Sequence, residues 1–236
     1  MQQRELWEVL QQNASEKEIA WVTSKATLTN KEIQTAFVAT PRFISRKPLS
    51  APNTPFETWT LDRLARVYLL MCLDSSDETA YVDLLETLFD TAEMNEAVAL
   101  YVALPYLAYP NRWLLRATDA VRSNVGIIFD AIAFHNPFPK TYFNELAWNQ
   151  LVLKCIFNDK PILLIDGLEE RSNQALADTL SDFAHERWAA GRTVPSEVWQ
   201  LVKGFVTETI LEDLKLLQQS NRQEDREVAT LLIHNS

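Results

Sequence analysis

From Leu61 onward apolar residues recur at the spacing of a helix face, and nowhere do they alternate as a half-buried strand requires. Leu61, Leu64, Ala65 and Tyr68 stand at offsets 0, 3, 4 and 7, and Tyr81, Leu84, Leu85, Leu88 and Phe89 repeat the pattern after the turn Asp74-Ser-Ser-Asp77. These two segments are expected to pair as an antiparallel hairpin. Similar segments start at Met94, Trp113, Val125, Val198, Ile210 and Val228, with breaks at Pro105/Pro110 and Pro137/Pro139. Only four of the 236 residues are glycine. Sheets use glycine at turns and bulges, and phosphate-cradling loops need it for close backbone approach. The expected fold is therefore all-α: an array of antiparallel helical hairpins, either HEAT-like or an irregular α-solenoid.

Three short amphipathic helices precede this array. The first covers residues 1–12 with Leu6, Val9 and Leu10 inward; Ser15 opens the second with Glu18 as its capping-box partner; Thr29 opens the third, through Ile33, Ala36 and Phe37. Pro41, Pro48, Pro52 and Pro55 then interrupt helix formation. The expected organisation is a helical cap over 1–40, a proline-rich linker over 41–58 and a helical array over 59–236. The linker carries Phe43, Ile44, Leu49 and Phe56 as apolar anchors with which it could wrap the surface.

Charge narrows the choice of partners. The formal net charge is −10 and no basic stripe appears, which opposes nucleic-acid binding. Arg42, Arg46 and Lys47 read as a solvated loop or as a phosphate or lipid-head contact. Eight carboxylates fall between Asp74 and Glu96 with no Lys or Arg among them; they read as a solvated face or as a dock for a basic partner. Cys72 and Cys155 lie in apolar helical stretches, so free thiols in a reducing compartment are expected. The N-terminal residues lack a signal-peptide core, and no uninterrupted run of roughly 18 apolar residues exists. The protein is expected to be cytoplasmic and not membrane-spanning.

The most distinctive stretch runs from Tyr142 to Arg192. In its first helix Trp148, Leu151, Val152 and Cys155 share one sector, with Phe143, Leu146 and Leu153 on the other, so the helix reads as apolar nearly all round. Asn144 and Gln150 are accordingly expected to enter the interior. In the second helix Ala177, Ser181, Ala184 and Trp188 line one sector. Arg187 falls with Leu180 and Phe183, with Glu145, Asp166 or Glu170 as candidate partners, and His185 lies beside Asp178 and Asp182. Gly191 suits the left-handed position past the helix end and Pro195 the next start. These polar groups read either as a network fixing helix register or as the lining of a ligand pocket. In the second case Trp148 and Trp188 face each other across a slot with Asn144, Arg187 and Arg192 near its rim. Such a slot suits a flat or isoprenoid-like molecule with a polar head.

Catalytic signatures are sparse. Asp182, His185 and Glu186 stand at i, i+3 and i+4, a spacing that can present metal ligands, but an Asp182–His185 ion pair accounts for it more simply. Asp74-Ser-Ser-Asp77-Glu78 is the nearest approach to the aspartate cluster of prenyl-diphosphate enzymes, and it reads as a turn and helix cap. Nucleophile elbows, Gly-rich phosphate loops and zinc spacings do not occur. No catalytic residue, metal or cofactor is assigned.

Phe143-Asn-Glu-Leu-Ala-Trp-Asn-Gln-Leu-Val-Leu-Lys154, Gly167-Leu with Glu170-Arg, and Ala184-His-Glu-Arg-Trp-Ala-Ala-Gly-Arg192 resemble the EboA family of bacterial and plastid proteins, most strongly over residues 142–206. The resemblance implies a protein encoded beside a UbiA-like membrane prenyltransferase, a TIM-barrel protein and metal-hydrolase-like proteins. It also implies a part in metabolite traffic, including export of a scytonemin precursor. The family's motif falls here on Asn144, Glu145, Trp148, Asn149, His185, Glu186, Arg187, Trp188, Gly191 and Arg192. The expected ligand-binding set is Asn144, Glu145, Trp148, Asn149, His185, Arg187, Trp188 and Arg192. The first functional reading is a non-enzymatic binder of a small terpenoid or aromatic metabolite, with gene-cluster proteins, the membrane prenyltransferase among them, as candidate partners. Against it stand an enzyme using His185 with a carboxylate, and a helical protein-protein adaptor.

Overall fold

A computed structural model describes residues 2–52 and 54–234. Met1 and the last two residues, which the helical segments were expected to include, lie outside the described residues. Among these the protein is all-α with no β-strand; one isolated bridge joins Pro48 to Thr60. The chain divides into two compact units, Met1–Phe143 and Asn144–Ser236.

The first unit carries α1 (Gln2–Asn13), α2 (Glu16–Ala26), α3 (Asn30–Ala39), α4 (Leu61–Met71), α5 (Glu78–Thr91), α6 (Met94–Ala103), α7 (Leu114–Arg122), α8 (Gly126–Ala133) and α9 (Pro137–Tyr142). The capping box of α2 forms as the sequence predicts, with Ser15 and Glu18 bonding reciprocally, and Thr29 and Glu32 do the same for α3. Asp77 caps α5 by accepting from the Ala80 amide, so the Asp74–Asp77 carboxylates serve as turn and cap. Pro137 opens a helix where only a break was expected, because Asn136 caps it and a proline at the first helical position forfeits no bond.

The expected pairing of α4 with α5 is not the main contact. α4 packs chiefly on α6, α1 and α3, while α5 packs on α3. The reason is that α4 is buried on every side: besides Leu61, Leu64, Ala65, Val67, Leu69 and Leu70 it hides Asp62 and Arg66. Arg66 bonds Asp62 at 3.1 Å and the Phe37 carbonyl at 3.2 Å, with Glu96 3.8 Å away. A buried cation between two acids and a carbonyl is held at the centre of the unit.

The proline-bearing segment lies within this unit and is anchored on it. Ile44, Leu49, Ala51 and Phe56 are buried, the Leu49 amide bonds the Trp59 carbonyl, and the Ser50 amide bonds Asn13. Phe43 stays 52% exposed but stacks on Trp21 at 4.9 Å. The acidic stretch is partly neutralised from further along the chain, since Arg112 pairs with Glu78 and Arg116 with Glu86 and Asp90. Cys72 and Cys155 are not joined in a disulfide, and burial pushes the Cys72 thiol up.

The second unit holds α10 (Glu145–Phe157), α11 (Gln174–Ala189), α12 (Glu208–Leu217) and α13 (Gln223–His234), with a 3-10 turn over Ser196–Val202 where a regular helix was expected. α11 packs on that turn and on α12, and α12 packs on α13. Among the described residues no helix is long and apolar enough to cross a membrane.

Candidate functional site

All eight expected binding residues lie in the second unit, on α10, on α11 and just past its end. α10 buries one face only: Trp148, Leu151, Val152, Cys155 and Ile156, as the helical spacing predicts. Leu146 is 79% exposed, so the helix is not apolar all round. Asn144 does not enter the interior. It is the exposed N-cap of α10 and accepts from the Ala147 amide at 2.9 Å, which satisfies one of the unpaired donors of the first turn. Gln150 is exposed as well, and Glu145 sits exposed in the first turn, where its charge favours the positive end of the helix.

Trp148 is buried completely, and the Arg171 guanidinium lies 4.8 Å from its ring centroid. Burial lowers the Arg171 guanidinium from its ordinary value, and the Glu145 charge works against that shift. The indole N–H of Trp148 has no hydrogen-bond partner. Asn149 exchanges two bonds with Asn173, at 3.1 and 2.8 Å, and Asn173 also accepts from the Leu176 amide as the N-cap of α11. One side-chain pair thus ties the middle of α10 to the start of α11. Sequence reasoning missed Asn173, and it had Arg171 only within the Glu170-Arg element with no role; the position of Asn173 one residue ahead of the helix is the signal that identifies it.

On α11, His185 does not pair with Asp182. Its Nε2 lies 2.5 Å from Oδ1 of Asp213 on α12, whose other oxygen accepts from the Ser181 hydroxyl at 2.5 Å. Asp213 is buried, whereas the His185 side chain is 47% exposed. The order is hydroxyl, carboxylate, imidazole, so the serine is not activated by the histidine; the carboxylate instead orients an imidazole whose other nitrogen is left for a further partner. Ser181 and His185 are one helical turn apart, so a single acid from the neighbouring helix reaches both. Asp213 lies far along the chain from the helix it serves, and no local pattern marks it.

Trp188 stacks on the buried Trp199 with centroids 5.8 Å apart and planes at 16°, and His185 lies 5.9 Å from its ring. Its aromatic neighbours are therefore these two, while Trp148 is covered by Arg171. Trp188 forms one wall of a hollow of about 360 Å³, with Thr193, Val194, Leu216, Leu217, Ser220 and Asp225 around it. Asp225 is buried; one of its oxygens accepts from Ser220 at 2.7 Å, and Arg222 approaches the other to 3.7 Å.

Arg187 and Arg192 line a second hollow, of about 350 Å³, with Phe157, Phe183, Glu186 and Ala190. Arg187 takes none of the expected carboxylates in its closest bond: its Nε donates to the Thr193 carbonyl at 3.0 Å, and the guanidinium lies 5.6 Å from the Phe183 ring centroid. Gly191, at φ +68°, makes this possible, since the left-handed turn folds residues 192–193 back against the helix end. The expected set is thus distributed between an inter-helix amide pair, an oriented imidazole and two hollows.

Among the described residues no three His, Cys, Asp or Glu side chains form a metal-binding group. No curated protein and no solved structure matches the chain. A family does match, across both units and through every motif residue named above: over residues 2–203 the chain belongs to the EboA family, described as metabolite traffic protein EboA.

Proposed function

We propose that this protein is a non-enzymatic carrier that holds a small terpenoid or aromatic metabolite in the hollow walled by Trp188. The carrying observation is that hollow itself: about 360 Å³, largely apolar, with an indole wall and the polar pair Ser220 and Asp225 at one side. Sites for small molecules have this make-up, an apolar lining with a few convergent polar groups. Trp188 is held by its stack on Trp199, so the wall is formed before a ligand arrives. Among the expected binding residues Trp188 touches the ligand in this reading, His185 flanks it, and Trp148, Asn149, Asn144 and Glu145 support α10 and its junction with α11. The family description, metabolite traffic, fits a carrier.

In the finer form of the proposal the carrier works in the cytoplasm within secondary metabolism, and passes an exported precursor of the scytonemin type between gene-cluster proteins, a membrane prenyltransferase among them. Stacked helical hairpins in the HEAT-like manner would suit such a scaffold, and the packing of α4 on α6 and of α6 on α8 supports that arrangement. Native mass spectrometry of the full chain purified from its own host tests the reading. The expected result is a co-purifying small molecule that Trp188→Ala loses while helical circular dichroism is unchanged; retention by the folded variant refutes the site.

One observation favours a second reading. The buried Asp213 carboxylate at 2.5 Å from His185 is the arrangement of an oriented general base. An enzyme would alter the co-purified molecule on incubation and lose that ability in His185→Gln. A molecule recovered unaltered refutes this alternative.

A further inference from the structure

We propose that the face of α11 opposite in character to the Trp188 hollow is a separate binding site for an anionic aromatic metabolite, gripped by Arg187 and Arg192 over a floor of Phe157 and Phe183. Phe183, Glu186, Arg187 and Ala190 stand at offsets 0, 3, 4 and 7 on α11 and so share one face. Phe157, in the last turn of α10, lies beside it with ring centroids 5.0 Å apart and planes at 42°. Phe157 is 54% exposed, so its ring is reachable from solvent beside the two arginines. The lining of this hollow, about 350 Å³, carries two guanidiniums against one carboxylate, Glu186, in a chain of formal charge −10.

Both arginines are placed by local structure. The bond from Arg187 Nε to the Thr193 carbonyl fixes the plane of its guanidinium beside the Phe183 ring and leaves its Nη groups as donors. The amide of Arg192 bonds the Arg187 carbonyl at 2.8 Å through the turn at Gly191, which brings the second cation to the same hollow. A fixed, planar fork of N–H donors is suited to a carboxylate or phosphate oxygen pair. The tilted phenyl pair adds an apolar floor that favours an aromatic body over a bare inorganic anion.

Calorimetric titration of the full chain with 2-naphthoate, its neutral analogue 2-naphthamide and inorganic phosphate tests the site. The expected result is naphthoate binding about tenfold or more tighter than naphthamide, as a charge-assisted pair requires. Arg192→Gln, at an exposed position, is expected to weaken naphthoate about fivefold or more and leave naphthamide unchanged. Phe157→Leu should weaken both naphthyl compounds, and Trp188→Ala neither. The proposal is overturned if naphthoate fails to bind, if it binds no better than naphthamide, or if Arg192→Gln leaves it unchanged. Phosphate binding as tightly as naphthoate would remove the aromatic half of the claim. Loss of naphthoate in Trp188→Ala with none in Phe157→Leu would place it in the other hollow and overturn this site while sparing the carrier reading.

Discussion

Glu18 offers a stability test whose size follows from the structure. One of its oxygens accepts from the Ser15 amide at 2.8 Å and hydroxyl at 2.7 Å; the other accepts from the Ser45 amide at 2.8 Å and hydroxyl at 2.7 Å. A single carboxylate thereby caps α2 and pins the chain beyond α3 to it. Burial favours the neutral acid, but the Ser45 and Ser15 donors outweigh it and bring the carboxyl from 4.5 down to about 2. At about 1.4 kcal/mol per unit that displacement sets a ceiling of about 3 kcal/mol, and solvent screening reduces the electrostatic share to about 1–2 kcal/mol. Glu18→Gln turns an NH₂ group toward one of the serine amides, so a donor then faces a donor, at a further cost of about 1 kcal/mol. The expected loss near neutral pH is about 2–3 kcal/mol in urea unfolding followed by circular dichroism. Because the folded-state value is depressed, the carboxylate's contribution is complete above about pH 4.5 and is lost as pH falls toward about 2. The gap between the parent and Glu18→Gln should therefore narrow across that window. An equal gap at about pH 3 and about pH 7 would refute the account, and so would no gap at all.

Two further substitutions test other parts of the fold. Arg66→Met leaves Asp62 and Glu96 buried without their cation and should cost about 3–5 kcal/mol in the same assay, whereas the triple change that also replaces both acids with apolar residues should recover most of it. Gly191→Ala meets open space but keeps φ at +68°, so a loss of about 1 kcal/mol is expected, with weakened naphthoate binding as the turn that seats Arg192 relaxes.

The sequence made the local elements legible and left the long-range ones hidden. Ser15 with Glu18, Thr29 as the opening of α3 and Gly191 past α11 are signals contained within a few residues, and the structure has each where the pattern puts it. Helical spacing likewise identified the buried face of α10 through Trp148, Leu151, Val152 and Cys155. It misjudged Asn144, because an asparagine just before a helix competes between the interior and the cap, and the unpaired amides of the first turn win. Partners distant in sequence could not be read. Asp213 for His185 and Asn173 for Asn149 depend on how elements pack, which a helical wheel does not encode.

The hollow beside Trp188 is built from two kinds of sequence. Trp188, Thr193 and Val194 fall within the stretch matched to the family, while Leu216, Leu217, Ser220 and Asp225 stand after residue 203, where that match ends. The family match therefore covers one side of this hollow and stops short of the other. On the carrier proposal, substitutions confined to Leu216, Leu217, Ser220 and Asp225 would change which molecule co-purifies while Trp188 stays in place.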